Sequence, residues 1–173
     1  MHDFPVFNGK YSTTCYVDAV NHALDDLFSR AKAPRQEFWD SMAAVLLHRP
    51  YHRMPIQAMS AALVWGMARD PRAHGELRTL CEEVGIEAKA VIDEVTSMPR
   101  LFRMMTTDGV DADPTPQTNR LVKAFRSTPT FKAFVREKMA LGADLAMDLG
   151  NLYTASLPAW VAAAFEDART QGT

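Results

Sequence analysis

Met42-Ala43-Ala44-Val45-Leu46-Leu47-His48-Arg49-Pro50-Tyr51 is the stretch on which the reading of this chain turns. An unbroken apolar run ends on a histidine. Its length suits a buried strand, although a helix segment looks the same by periodicity. Pro50 holds Arg49 out of the α region, so the backbone turns or extends immediately after His48. An imidazole at the lip of a buried element, beside a stiff loop, is placed to act as an acid, a base or a donor toward a bound molecule. A histidine that merely ends a core strand satisfies the same pattern.

The rest of the chain reads as helix. Val17, Val20, Leu24, Leu27 and Phe28 recur at helical spacing, with Asp18, Asn21, Asp25 and Ser29 on the other face. Ser12 or Thr13 is positioned to cap this helix, and Pro34 closes it. Met54-Pro55 opens a second helix with proline in its first turn. Ile56, Met59, Leu63 and Met67 form its stripe, and alanines fill its other faces, so it should be buried on more than one side. Asp70-Pro71, Thr115-Pro116 and Thr128-Pro129 each place a capping side chain before a proline at the first helical position. They predict a helix running to Val84 and stopping at Gly85, and helices over 116–126 and 129–141. Ile86–Val95 is a further helical pattern. The last helix is expected over Ser156–Ala168, with Trp160, Ala164 and Phe165 facing inward. Residues 106–114 are the clearest loop. With no fixed-period repeat, the expectation is one domain over 1–173, mainly α with at most a few short strands.

A chain of 173 residues is long enough to bury roughly 70% of its unfolded surface. Its formal net charge is −2, and it has no Lys/Arg block of the kind that tracks phosphates, so nucleic acid is not an expected partner. No apolar run approaches the roughly 18 residues of a membrane span. The start, Met1-His2-Asp3-Phe4-Pro5, lacks the pattern of a signal peptide. Cys15 and Cys81 do not amount to a disulfide framework. A cytoplasmic protein with reduced thiols is expected.

Three blocks carry a resemblance. They are Gly9-Lys10-Tyr11-Ser12-Thr13-Thr14-Cys15-Tyr16, His48-Arg49-Pro50-Tyr51 and Gly150-Asn151-Leu152-Tyr153-Thr154-Ala155-Ser156. In this order and spacing the chain resembles the hydroxymethylglutaryl-CoA synthase family of thiolase-like condensing enzymes, which has Gly-Lys-x-Ser-x-x-Cys-Tyr, His-x-Pro-Tyr/Phe and Gly-Asn-x-Tyr-Thr-x-Ser stretches. The resemblance implies an incomplete C-terminal half of a thiolase-like α/β fold. The family's nucleophilic cysteine and general-acid glutamate belong to the preceding half, and a glycine-rich strand follows the last helix; this chain matches neither. A split subunit or a truncated product, inactive alone, is therefore implied. With a complementary N-terminal-half chain it would join acetyl and acetoacetyl thioesters to hydroxymethylglutaryl-CoA on the mevalonate route. The missing partner should leave the Val17–Phe28 and Ile56–Met67 helices incompletely covered, and an oligomer is expected.

The resemblance also implies site residues. His48 matches the family histidine that contacts acetoacetyl-CoA and is the candidate catalytic group. Asn151 matches the asparagine whose amide helps to place the second substrate, although Gly-Asn before a helix is also an ordinary turn. Tyr153 either joins that pocket or is a core aromatic with a wet hydroxyl. Pro50 and Tyr51 would wall the pantetheine arm. Arg53, with Arg49, would meet the CoA phosphates. The family usually has lysine near Arg53, and a solvated basic loop explains both arginines as well. Cys15 matches a family cysteine that is not the nucleophile, and Ser156 reads as a helix cap. His48 and His52 have the spacing of a helical metal pair, but Pro50 opposes a helix there and no carboxylate completes the set, so no metal is expected. Asp108, Asp111 and Asp113 do not follow an EF-hand loop. No cofactor is implied beyond the thioester substrates. Two alternatives remain: a polyketide β-branching component acting on carrier-protein thioesters, and a non-catalytic helical module that binds a partner protein.

Overall fold

A computed structural model describes residues 9–32, 34–97, 113–149 and 152–171. Nine helices carry the described chain: α1 (Gly9–Ala31), α2 (Arg35–Ser41), α3 (Met54–Arg69), α4 (His74–Val84), α5 (Ala88–Ser97), α6 (Pro116–Phe125), α7 (Pro129–Lys138), α8 (Ala143–Met147) and α9 (Ser156–Gln171). No strand occurs among the described residues. Single 3-10 turns precede α4 and α9.

α3 is the hub. Of its 16 residues twelve are buried, among them Met59, Val64 and Trp65. Apolar and small residues on every face leave it no solvent side, so other helices must wrap it. α1, α4, α5 and α6 all pack on it. A chain of aromatic contacts ties the remaining elements in. Phe28 meets Phe38 and Trp39 edge-on at 5.1 and 5.5 Å, Trp39 meets Phe134 at 6.0 Å, and Phe131 meets Phe125 at 5.3 Å. Edge-to-face pairs of this kind add about 0.5–1.5 kcal/mol each beyond burial.

Helix ends follow local chemistry. Asp70 accepts from the Arg72 amide, and Thr128 from the Phe131 amide. Gly85 adopts the left-handed conformation that ends α4. Thr115 makes no side-chain capping bond. Its role falls to Glu94 of α5, whose carboxylate accepts from the Gln117 and Thr118 amides and the Thr118 hydroxyl at 2.7–3.0 Å. An anion at a helix N-terminus complements the dipole as well.

Several expectations change. α1 begins at Gly9, so Ser12 and Thr13 lie inside it. Its buried stripe runs through Val17, Asn21, Leu24 and Phe28, which places Asn21 (3% exposed) and the adjacent Asp18 (5%) inside and Leu27 (40%) outside. The polar side is needed there: Asp25 bridges Arg35 and Arg69, each at 2.8 Å. α2 was not anticipated, because seven residues are too few to show a period. α7 stops at Lys138 rather than 141. Phe165 is 74% exposed, whereas Trp160 and Ala164 face inward. The expected loop at 106–112 and the start at 1–8 lie outside the described residues.

The run at 42–47 is extended but forms no strand. The Val45 amide donates to the Lys138 carbonyl at 2.6 Å, and Lys138 Nζ donates back to the Met42 carbonyl at 2.7 Å. The run therefore lies against the end of α7, with Val45, Leu46 and Leu47 packed on the core. A strand needs a partner to complete its ladder, and no described residues supply one.

Two glycines give a paired test. Gly142 has φ +68°, and a Cβ there would fall 2.3 Å from the Ala164 amide nitrogen. Gly142→Ala should cost more than about 2 kcal/mol from strain and overlap together. A Cβ at Gly66, inside α3, would meet only the flexible Arg35 side chain, at 3.4 Å from Cδ and 3.6 Å from Nη1. Gly66→Ala should be neutral or should stabilise by up to about 1 kcal/mol. Urea unfolding of both variants checks the contrast.

Candidate functional site

The segment after the apolar run is held from three sides. Tyr16 of α1 donates its hydroxyl to the His48 carbonyl. Burial pushes the Tyr16 phenol well above its ordinary value, so it remains a donor at physiological pH. The Tyr16 and His48 rings lie 6.5 Å apart at 44°. Arg49 follows, 7% exposed. Its amide donates to Ser156 Oγ at 2.9 Å, and that hydroxyl donates to the Arg49 carbonyl at 2.7 Å. The Arg49 guanidinium donates to the Ala143 carbonyl at 3.0 Å, meets His52 Nδ1, and lies 4.9 Å from the Trp160 ring. Tyr51 donates to Gln57 Oε1 at 2.9 Å, anchoring the loop to α3.

His48 itself is half-buried. Its backbone is fixed while its ring stays partly open, which suits a donor to a bound carbonyl. Pro50 is half-buried and Tyr51 is 43% exposed. Arg53 is exposed at the N-terminus of α3, where it remains free to meet an anion. Arg49 does not: it turns inward, and burial lowers its pKa against the opposing pull of Asp144. The reading of Arg49 as a phosphate contact is thereby corrected. Tyr153 adopts a left-handed backbone, φ +51°, and is 76% exposed. It is not a core aromatic. Asn151 lies outside the described residues.

Ser156, expected as a helix cap, is instead the first helical residue of α9 (φ −60°, ψ −41°), and its hydroxyl serves Arg49 on the far side of the sequence. No local pattern announces a contact across 107 positions, nor the one between Tyr16 and His48. Cys81 is 1% exposed, and burial pushes its thiol up. Cys15 is engaged with Tyr11 one turn back along α1. His52 is held by Arg49 and is not free to pair with His48 on a metal.

Two cavities of useful size border described residues. One of about 530 Å³ lies between α2, α3, α4 and α7, and its Arg35, Arg72 and Lys138 are already engaged. The other, about 360 Å³, lies between α1, α3 and α6 and includes Gln57, the anchor of Tyr51. A crevice of about 10 Å³ adjoins Arg49 and Ser156.

The hydroxymethylglutaryl-coenzyme A synthase C-terminal model matches residues 1–172, and the chain belongs to that family. The architecture accords with the helix-rich part of a thiolase-like half. Comparison with curated proteins and with solved structures finds no significant match. No described helix is long and apolar enough to cross a membrane.

Tyr16→Phe removes the donor to the His48 carbonyl and nothing else. The variant should lose about 1 kcal/mol of stability, read by urea unfolding. Hydrogen exchange should quicken across residues 45–53.

Proposed function

We propose that this chain supplies the second-substrate side of a condensing enzyme that joins acetyl and acetoacetyl thioesters to hydroxymethylglutaryl-CoA, on the mevalonate route. The observation that carries the reading is His48, with its backbone locked by Tyr16 and flanked by the Arg49–Ser156 contact while its imidazole stays partly open. In that role the imidazole donates to the acetoacetyl carbonyl as negative charge gathers on the oxygen. Tyr51 and Pro50 line the thioester arm, Arg53 meets the CoA phosphates, and Asn151 and Tyr153 complete the substrate contacts.

The nucleophilic cysteine that takes up the first acetyl group, and the acid that serves it, lie outside these 173 residues, in the complementary half of the enzyme. Exposed apolar residues support this. Leu145, Met147, Leu149, Leu152, Tyr153 and Leu157 all stand open in the stretch leading into α9. These residues favour a partner surface there rather than on α3, which its neighbours enclose. A run of exposed apolar residues of this kind marks an interaction surface. Soluble thioesters are the substrates, and no cofactor is needed for the reaction.

Purified alone, the chain should not condense acetyl-CoA with acetoacetyl-CoA. Clear turnover would force Cys15 or Cys81 into a catalytic role. Co-expressed with a half bearing the cysteine and glutamate, it should elute as one complex, since obligate interfaces bury more than roughly 2,000 Å². Elution as two independent monomers would sink the split-enzyme reading.

In the assembled enzyme His48→Ala should slow the step that uses acetoacetyl-CoA by on the order of 10² to 10³. Acylation of the cysteine by radioactive acetyl-CoA should be largely spared. Loss of labelling in a folded variant would show that the assigned role is wrong.

A further inference from the structure

Arg49 has both of its backbone hydrogen-bonding groups satisfied by one distant hydroxyl. Its amide donates to Ser156 Oγ, and the Ser156 hydroxyl donates to its carbonyl. Residues in an extended loop have no helix or ladder to satisfy these groups, and in a sealed position each group without a partner is costly. Arg49 and Ser156 are 7% and 5% exposed, so water is a poor substitute there. The Arg49 side chain then reaches past Ser156 into the same unit, to the Ala143 carbonyl and over the Trp160 ring. It also fixes His52. The guanidinium meets His52 Nδ1.

We propose that Ser156 and Arg49 are positioning residues for His48. The hydroxyl clamps the peptide directly after the histidine, and the guanidinium ties that peptide to α8 and α9. The unit that begins with Tyr153 and the loop that carries His48 therefore keep one register. α9 packs chiefly on α8 and on the turn over Tyr153–Ala155, so this clamp is a principal link between the C-terminal unit and the rest of the bundle. The proposal deepens, and rests on, the reading of His48 as donor to the second thioester.

The test uses the full chain with Ser156→Ala and Ser156→Thr. Hydrogen exchange over residues 45–53 reports the clamp, and the His48 ring resonances report the position of the imidazole. In Ser156→Ala, exchange at the Arg49 amide should quicken about tenfold or more, the factor that corresponds to roughly 1.4 kcal/mol. The His48 resonances should move, and Ser156→Thr, which keeps the hydroxyl, should bring both back toward the parent values. If Ser156→Ala does not fold, Ser156→Cys carries the same test, because it keeps the volume and weakens both bonds. A folded variant with unchanged exchange and unchanged His48 resonances overturns the proposal. In the assembled enzyme, Ser156→Ala should raise KM for acetoacetyl-CoA about tenfold and spare acyl-enzyme formation. Moved resonances with an unaltered KM would leave the positioning in place and overturn the substrate role of His48.

Discussion

α3 sets the terms of this structure. A helix with apolar or small residues on every face cannot stay in water, so its neighbours are arranged to enclose it. The one strongly polar demand it makes, at Arg69, is met by Asp25 of α1. That explains why α1 turns part of its polar side inward. Asn21 comes with it, and its buried Oδ1 has no partner among the described residues. The cost of such an orphan, about 1–3 kcal/mol, is offset by the packing of Val17, Leu24 and Phe28 beside it.

The second organising contact is electrostatic. Arg49 is taken almost wholly out of water, and a cation there is tolerated only when its donors are answered. Ala143, His52 and the Trp160 ring answer them. Because the same residue follows His48, the requirement to satisfy a buried cation and the geometry of the histidine become one problem. Tyr16 supplies the remaining restraint from α1. The loop carrying the imidazole is thus held by the N-terminal helix and by the C-terminal unit at once.

Much of the helical plan was legible because helix ends are local chemistry. Asp70-Pro71, Thr128-Pro129 and Gly85 mark their boundaries through side chains a few positions away. Thr115-Pro116 marked the right place for a different reason, since Glu94 does the capping. The run at 42–47 was ambiguous from the outset: an apolar stretch declares burial, and its partner decides between strand and strap. Phe165 and Leu27 were misplaced because the buried stripe of each helix is narrower than the apolar pattern. At the site, His48, Pro50 and Tyr51 were visible as a rigid loop following an apolar run. The inward turn of Arg49 and the service of Ser156 were not, because they depend on contacts across 94 and 107 positions.

The Glu94 carboxylate has a topological effect as well as a capping one. By gripping the first turn of α6 from α5, it pins the two ends of the intervening segment together within hydrogen-bond distance. Closing any stretch of chain costs entropy that grows only logarithmically with its length, about 0.6 kcal/mol for each doubling. Added length between the two helices is therefore cheap as long as this staple holds, and the packing of α5 and α6 on α3 does not depend on it.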